Sequence, residues 1–333
     1  MIRFGIAGFG LHAAKRLMPG FALAQNCKVV ALSRRDAGKA REASQTYAIP
    51  LVFATTAELC RCPDVDAVFV ATPNANHLAD VLTAVSAHKP VLCEKPMGMN
   101  AGECHRMVEA ARSAGVLLGV AQVFRFEAST ARFRERIAQG DIGRPVLAQA
   151  EFCYLGTSHP RTWLYDRALA GGGPIADVGV HCIDALRYIL QDEVAGVSAV
   201  GRSDAHSGNV EASAVLTLEF QQGTLATILV STRAPYRTPL EIVGETATLR
   251  ADDALNVEKP IQLQLWQAGN LVGEETVSNR LAYAKQVDEF AAAVERGQPF
   301  PAPGEEGWKN QLILDAAYRS LESQKSERLN MEW

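Results

Sequence analysis

Short apolar runs alternate with helix-like segments from the first residues to about residue 120. The runs are nearly continuous in apolar character, as expected of strands buried on both faces of a parallel sheet. They cover residues 2–7, 28–32, 67–71, 90–93 and 116–120. The segments between them are typical of helices and cover residues 11–23, 37–46, 77–87 and 101–114. This alternation predicts a doubly wound α/β domain.

The pattern changes after Phe124. A helix is predicted over residues 129–139, and several later runs alternate apolar with polar positions, which is typical of an antiparallel sheet with one face on a core. The clearest of these strands are predicted over residues 211–220, 224–232 and 261–265, and two helices follow over residues 281–296 and 305–323. We therefore predict an α/β domain over residues 1–122 and an α+β domain over residues 123–333.

The composition narrows the class of protein. A chain of 333 residues with 48% apolar and 21% charged residues is typical of a globular protein with about two domains. The 33 basic residues nearly balance the 37 acidic ones, and the basic residues form no block, so we expect no nucleic-acid partner. No stretch approaches ~18 uninterrupted apolar residues, so we expect no membrane span.

The cysteines and the N-terminal segment indicate the cellular compartment of the protein. Glycines interrupt the early apolar run, and Lys15 and Arg16 follow it rather than precede it, unlike an export signal. Together with the odd count of seven cysteines, this predicts reduced thiols and a cytoplasmic protein. Cys60 and Cys62 lack zinc-ribbon spacing and have no second pair nearby, so we predict no metal site.

A glycine-rich segment over residues 8–13 lies between the first predicted strand and helix and has the form G-x-G-x-x-A. In that setting Gly8 permits a tight turn, Gly10 lets the backbone approach a pyrophosphate, and Ala13 allows close helix–strand packing. The helix N-terminus adds N–H groups and partial positive charge. We predict a dinucleotide site that uses Gly8, Phe9, Gly10, Leu11 and His12.

The end of the second strand bears on which dinucleotide binds. An acid at this point favours NAD by accepting hydrogen bonds from the ribose hydroxyls, whereas an arginine accommodates the 2′-phosphate of NADP. Ser33 and Arg34 stand there, and Asp36 comes late. We predict NADP as the preferred cofactor, with NAD as the alternative if Arg34 and Arg35 are only a solvated surface pair.

Further polar segments follow two other strands, where open α/β sheets hold their ligands. The additional cofactor-binding residues predicted there are Thr72, Pro73, Asn74, His77, Glu94 and Lys95. A third segment in the second half, residues 170–181, is rich in glycine and ends in Asp177 and His181.

These segments together resemble the glucose-fructose oxidoreductase / inositol dehydrogenase (Gfo/Idh/MocA) family. The shared features are the early G-x-G-x-x-A, an A-T-P-x-x-x-H run, E-K-P, and G-G-G-x-x-x-D-x-G-x-H, in family order over residues 8–181. The resemblance implies a Rossmann domain with a parallel sheet, followed by an α+β domain with a large, mostly antiparallel open sheet. It also implies NAD(P)-dependent oxidation or reduction of a sugar, polyol or related compound.

The resemblance makes Lys95, Asp177 and His181 the catalytic group, and their chemistry agrees. His181 can accept or donate a proton near neutrality, because an unperturbed histidine has a pKa of ~6.5. Lys95 can hydrogen-bond the reacting oxygen and stabilise an alkoxide. Asp177 precedes His181 by four residues, which places both on one face of a helical turn. Which of Lys95 and His181 transfers the proton stays open.

Each of these residues also has an ordinary structural interpretation. Lys95 could be a surface lysine before a proline, Asp177 could cap a helix, and His181 could be a hydrogen-bonded core histidine. Their joint occurrence in family order favours catalysis. The alternative function is a dinucleotide-binding sensor, or a lyase- or glycosidase-type enzyme that retains its cofactor.

The remaining expectations concern substrate and assembly. Predicted substrate contacts are Arg125, Arg161, Trp163, Tyr236 and Tyr283. An open sheet with an apolar face needs a cover, and in this family a second subunit commonly supplies it. We therefore expect a homodimer or homotetramer formed through the sheet of the second domain.

Overall fold

The computed structural model of the protein describes residues 1–157 and 160–333. The chain forms two compact units. The first comprises Met1–Val123 and Leu281–Gln311, and the second comprises Phe124–Arg280 and Leu312–Trp333.

A parallel sheet forms the centre of the first unit. Its strands within the described chain are β1 (Ile2–Ala7), β2 (Cys27–Ser33), β3 (Leu51–Phe53), β4 (Ala67–Val70), β5 (Val91–Cys93) and β6 (Leu118–Val120). Their order is β3-β2-β1-β4-β5-β6, and every pairing is parallel. This is the Rossmann order, in which ligands bind beyond the strand ends where the order reverses between β1 and β4. The predicted fold class is therefore confirmed for this unit.

Helices connect these strands. They are a π-helical turn (Ala13–Leu17) that continues into α1 (Met18–Leu23), followed by α2 (Ala37–Tyr47), α3 (Thr56–Arg61), α4 (His77–Ser86) and α5 (Ala101–Ala114). Asn100 caps α5 by accepting from the Glu103 N–H, and Gly115 ends it with φ of 64°. The sequence pattern did not predict β3 or α3, because β3 spans three half-buried or exposed residues and α3 six residues.

A large sheet dominates the second unit. Its strands in the described chain are β7 (Pro145–Leu155), β8 (Val194–Arg202), β9 (Ser213–Phe220), β10 (Leu225–Ser231), β11 (Arg233–Arg237), β12 (Leu240–Gly244), β13 (Thr248–Ala251), β14 (Pro260–Gln267), β15 (Asn270–Ser278) and β16 (Glu327–Arg328). The order is β15-β14-β13-β12-β7-β10-β9-β8-β16, with β11 beside β7. Only β7 and β10 pair in parallel among these described strands. The mostly antiparallel sheet is confirmed.

Helical segments accompany this sheet. They are α6 (Ala128–Ala138), the short α7 (Arg167–Ala170), a second π-helical turn (Ile175–Gly179) and α8 (Val180–Leu190), which is buried over most of its length. Side chains alternate between the two faces of each strand, so one face of the sheet is buried. Leu216 and Leu218 on β9 and Ile228 on β10 lie on that face and are fully buried. On the other side, Val200 and Val215 are exposed and pair across β8 and β9.

Two long helices follow β15 and precede β16, α9 (Ala282–Arg296) and α10 (Gly304–Ser323). The ring of Phe290 in α9 lies 6.0 Å from that of Phe4 and 5.2 Å from that of Phe300, which places the apolar side of α9 in the core of the first unit. This grouping differs from the predicted division into 1–122 and 123–333. Periodicity shows that a helix has an apolar face, but it does not identify the core that the face joins.

Candidate active site

The glycine-rich loop after β1 is bonded to the end of β2. The Gly8 and Phe9 N–H groups donate to the Ser33 carbonyl over 3.1 and 3.0 Å. Gly8 has φ of 80°, and a Cβ there would lie 2.7 Å from the backbone nitrogen of Thr72. Glycine is therefore required at position 8 for both backbone conformation and space. Residues 11–23 then run on as helix, so a helix N-terminus follows the loop.

A cleft of about 540 Å³ lies beside this loop. Among its lining residues are the predicted cofactor contacts Gly8, Phe9, Ser33, Arg34, Thr72 and Pro73. Its volume lies in the usual range for small-molecule sites. A glycine turn against a strand end, a helix N-terminus and a nearby arginine fit the phosphates and ribose of a dinucleotide.

Two acids also line the cleft, and both have hydrogen-bond partners. Asp36 caps α2 by accepting from the Lys39 N–H at 3.0 Å, and this bond, with the Arg34 charge as a smaller cause, lowers the pKa of Asp36. Asp80 accepts from the Thr72 hydroxyl at 2.8 Å. The sequence analysis noted Asp36 just beyond the end of the second strand, but it did not predict Asp80 near the cofactor site.

His77 connects two of the predicted cofactor segments. Its side chain is fully buried, Nδ1 lies 3.0 Å from the Pro96 carbonyl, and Nε2 lies 2.9 Å from the Thr72 carbonyl. Burial lowers the pKa of this imidazole. The geometry favours a role in holding these loops together over the predicted contact with cofactor. Asn74, in the same segment, is also buried.

His12 and Glu94 join the glycine-rich loop to the segment after β5. Nε2 of His12 lies 2.8 Å from Oε1 of Glu94, which is only 8% exposed. Burial tends to raise the pKa of Glu94, but the charges of His12 and Lys95 outweigh it and lower this pKa. Lys95 itself is half-buried, and its peptide bond to Pro96 is cis. The ring of Tyr283, a predicted substrate contact, lies 6.4 Å from that of His12.

In the second unit, the G-G-G segment leads into the second π-helical turn. Gly171 has φ of 80° and ends α7, and the turn over Ile175–Gly179 carries Asp177. The hydroxyl of Tyr154, on β7, donates to Oδ2 of Asp177 at 2.7 Å. Burial and the Asp177 charge raise the pKa of Tyr154, whereas Arg161 acts in the opposite direction.

The rings of Phe124 and Phe152 lie beside His181, which is 8% exposed. The imidazole centroid lies 4.4 Å from the ring of Phe124 and 6.0 Å from that of Phe152, and Tyr236 meets Phe152 edge-on at 5.9 Å. The structure thus connects the predicted substrate residue Tyr236 to His181 through Phe152. Sequence reasoning missed Tyr154, Phe124 and Phe152 as site residues. For Tyr154 and Phe152 the signal would have been their position on one strand.

Arg125 has a partner that the sequence did not predict. Its guanidinium forms a buried bidentate ion pair with Asp184 of α8, and the shortest bond is 2.7 Å. This geometry favours a structural role over the predicted substrate contact. Arg161 and Trp163 are both half-buried, and Trp163 lies in a 3-10 turn over Thr162–Tyr165.

Over residues 1–157 and 160–333, no three His, Cys, Asp or Glu side chains are grouped so that they could hold a metal ion. No helix in these same ranges has the length and apolar character to cross a membrane.

Comparison with known proteins gives matches along most of the chain. The family model described as "Oxidoreductase family, NAD-binding Rossmann fold" (GFO_IDH_MocA) matches residues 2–122, and the "GFO/IDH/MocA C-terminal domain" matches residues 130–250. The chain is 31% identical to the 1,5-anhydro-D-fructose reductase of Ensifer adhaerens over 310 residues, 92% of each protein. It is 27% identical to the myo-inositol 2-dehydrogenase of Thermotoga maritima over 340 residues, 98% of each.

The fold agrees with a solved structure. The aldose-aldose oxidoreductase from Caulobacter crescentus, complexed with glycerol, superposes with a TM-score of 0.91 at 26% identity, over 98% of this chain and 99% of that one. The two family models match in the predicted order, and one relative is matched along 92% of its length. These matches establish which family the chain belongs to. The chain is an oxidoreductase of the GFO/IDH/MocA family.

Proposed function

We propose that this protein is an NADP(H)-preferring oxidoreductase that transfers hydride to or from a carbinol or carbonyl carbon of a sugar, polyol or related compound. The observation that carries the proposal is the placement of Asp177 and His181 on one continuous helical segment. Asp177 accepts a hydrogen bond from Tyr154, and His181 lies beside the rings of Phe124 and Phe152. The names of the reductase and dehydrogenase relatives support the substrate class.

In the mechanism, a bound nicotinamide supplies the acceptor or donor of hydride. His181 exchanges the proton of the substrate hydroxyl, because imidazole gains and loses protons near neutrality. The Lys95 ammonium donates a hydrogen bond to the reacting oxygen and stabilises negative charge that develops there. Asp177, oriented by Tyr154, supports His181 or accepts a neighbouring substrate hydroxyl.

The preference for NADP rests on Ser33 and Arg34. Both line the cleft beside the glycine-rich loop. Asp36 lies in the same lining, but its carboxylate accepts the Lys39 N–H of its own helix. An arginine and a serine at this strand end match the requirements of a 2′-phosphate, because both donate hydrogen bonds to phosphate oxygens.

We further propose that the protein is a homodimer or homotetramer formed through the open face of the second unit's sheet. The exposed apolar side chains of that sheet include Leu147, Val200, Val215 and Leu225. Leu147 pairs with Leu225 across β7 and β10, as Val200 does with Val215 across β8 and β9. Light scattering of the parent should give a dimer or tetramer mass, and Val215→Lys should lower it; a monomeric parent would overturn this proposal.

The function is tested by absorbance at the nicotinamide band. Purified protein is mixed with NADPH or NADH and a panel of aldoses, ketoses and cyclic polyols, in both reaction directions. We expect turnover with at least one sugar or polyol and faster turnover with the NADP couple. Nucleotide that copurifies, resists dialysis and never turns over with any of these compounds would favour a sensor or a retained-cofactor enzyme instead.

A further inference from the structure

Glu211 lies two residues before β9 and is only 9% exposed, and it takes no part in the mechanism above. Its carboxylate accepts three hydrogen bonds. The Gly173 N–H donates to Oε2 at 3.0 Å, and the Ile175 N–H and the Tyr318 hydroxyl each donate to Oε1 at 3.0 Å. Two of the donors are backbone groups of the segment that carries Asp177.

A buried carboxylate is costly unless donors satisfy it, so this arrangement holds only while all three groups stay in place. Burial raises the pKa of Glu211, and the N–H groups of Ile175 and Gly173 act in the opposite direction. Burial and the neighbouring carboxylate also raise the pKa of Tyr318 well above its usual range, which keeps its hydroxyl protonated and donating.

The glycines of the loop fit closely against this pair. A Cβ at Gly172 would lie 1.7 Å from the Tyr318 hydroxyl oxygen, and a Cβ at Gly173 would lie 2.1 Å from the Glu211 carbonyl oxygen. Neither distance is possible for real atoms, so the loop can approach Glu211 and Tyr318 only because it lacks side chains there. The Asp177 N–H then donates to the Gly173 carbonyl at 2.9 Å, which links the anchored loop to the π-helical turn.

We propose that Glu211, oriented by Tyr318, is a positioning residue that fixes the Gly171–Gly173 loop and thereby the direction of Asp177 and His181. The inference rests on the proposed function for its effect on turnover, but not for its effect on the loop. Each carboxylate oxygen accepts a backbone N–H, from Gly173 on Oε2 and from Ile175 on Oε1. A glutamine in this place cannot accept on both atoms, because one end of its amide is an NH₂ donor.

The first measurement needs no substrate. Hydrogen–deuterium exchange of peptides covering residues 171–181 is compared in the parent, Glu211→Gln and Glu219→Gln. Glu219 is the matched control, since it lies on β9 and its carboxylate accepts a hydrogen bond from the exposed Arg328. We expect faster exchange in this segment for Glu211→Gln alone. Unchanged exchange in Glu211→Gln would overturn the proposal whether or not the protein is an oxidoreductase.

The second measurement addresses turnover. With kcat expressed per nucleotide-binding site, we expect Glu211→Gln to lose ~10- to 100-fold, because small misplacements of reacting groups cost that much. Tyr318→Phe removes one donor and should lose about two- to ten-fold. NADPH affinity should change less than about two-fold in both variants, because their contacts lie in the second unit.

A purely structural role would reduce the amount of active protein without altering the chemical step. The kinetic isotope effect on kcat with 4-deuterated NADPH separates the two, and we expect it to rise in Glu211→Gln as hydride transfer becomes slower. An unchanged isotope effect with an unchanged kcat per site would overturn the positioning role. A parent that turns over no substrate would instead overturn the proposed function and leave the exchange result to decide this inference.

Discussion

The hydroxyl oxygen of Tyr154 lies 2.7 Å from Oδ2 of Asp177, so a residue of β7 orients the acid that begins the proposed catalytic segment. Tyr154 is on a strand of the large sheet, whereas Asp177 is on a helical turn. The bond therefore ties the Asp177 carboxylate to the large sheet of the second unit. Several consequences of this arrangement and of the nucleotide cleft can be measured.

Replacing Tyr154 by phenylalanine removes the donor and keeps the ring. We expect kcat to fall by about ten-fold with little change in NADPH affinity, because the Asp177 carboxylate then lacks a hydrogen bond that helps to orient it. Tyr188→Phe, on α8, serves as the control. Steady-state kinetics of both variants decide the matter, and equal rates in Tyr154→Phe and the parent would remove the bond from the mechanism.

Lys95→Ala and His181→Ala should each lower kcat far more than they weaken nucleotide binding. Each removes a group proposed to act on the reacting oxygen, and general acid–base groups contribute on the order of 10²- to 10⁴-fold. Rapid-quench or steady-state rates are compared with NADPH affinity from fluorescence titration. Near-parental turnover in either variant would exclude that residue from proton transfer and charge stabilisation.

Arg34→Ala should weaken NADPH binding by roughly ten- to 100-fold and leave NADH binding nearly unchanged, since charge-assisted hydrogen bonds to phosphate contribute about 1.5–3 kcal/mol. Arg35→Ala is the neighbouring control. Fluorescence titrations with both nucleotides measure the effect. If the parent binds NADPH and NADH equally well, the proposed preference is wrong.

Arg125→Met should destabilise the fold by about 3–5 kcal/mol, because it leaves the buried carboxylate of Asp184 without its partner. The double variant Arg125→Met/Asp184→Leu should recover much of that loss. Denaturant unfolding gives both values. A rise in KM without loss of stability in Arg125→Met would return this arginine to the set of substrate contacts.

Acidification should weaken the first unit through Glu94. The pKa of Glu94 is lower in the folded chain than in an unfolded one, where it is ~4.3. The contribution of the His12–Glu94 pair to folding is therefore present above that pH and is lost as pH falls through the lower, folded value. Thermal unfolding between pH 6 and 3 should show a smaller pH dependence in Glu94→Gln than in the parent; identical profiles would contradict it.

Sequence periodicity predicted most elements of the first unit but fewer of the second, where β7, β8, β15 and α8 were not among the predicted ranges. The buried strands of the first unit, the helices α2, α4 and α5, and the alternating strands β9, β10 and β14 all lie within a few residues of their predicted ranges. The three-residue strand β3 and the six-residue helix α3 were missed, because neither is long enough to express a period.

Residues of the candidate site could be predicted only where they belong to a recognisable sequence motif. The glycine-rich loop, Ser33 and Arg34 do line one cleft, as strand-end reasoning indicates. Tyr154, Phe152 and Glu211 were not predicted as site residues, because each is one position in an ordinary strand or at its edge. Their importance arises from what the sheet places beside residues 171–181, which no local pattern encodes.

Because of the π-helical turn at Ile175–Gly179, the number of residues in the G-G-G-x-x-x-D-x-G-x-H motif matters as much as their identities. A π turn contains one residue more than the α turn that would replace it, and each residue of an α-helix advances the chain by ~100°. Deleting Val178 or Gly179, which lie in this turn between Asp177 and His181, would therefore rotate Asp177 by about that angle against His181, even if every remaining side chain were retained. The glycine-rich loop also leads into such a turn, at Ala13–Leu17. To transfer either glycine-rich motif to another protein, the π-helical turn that follows it would have to be transferred as well, because that turn sets the register of the helix.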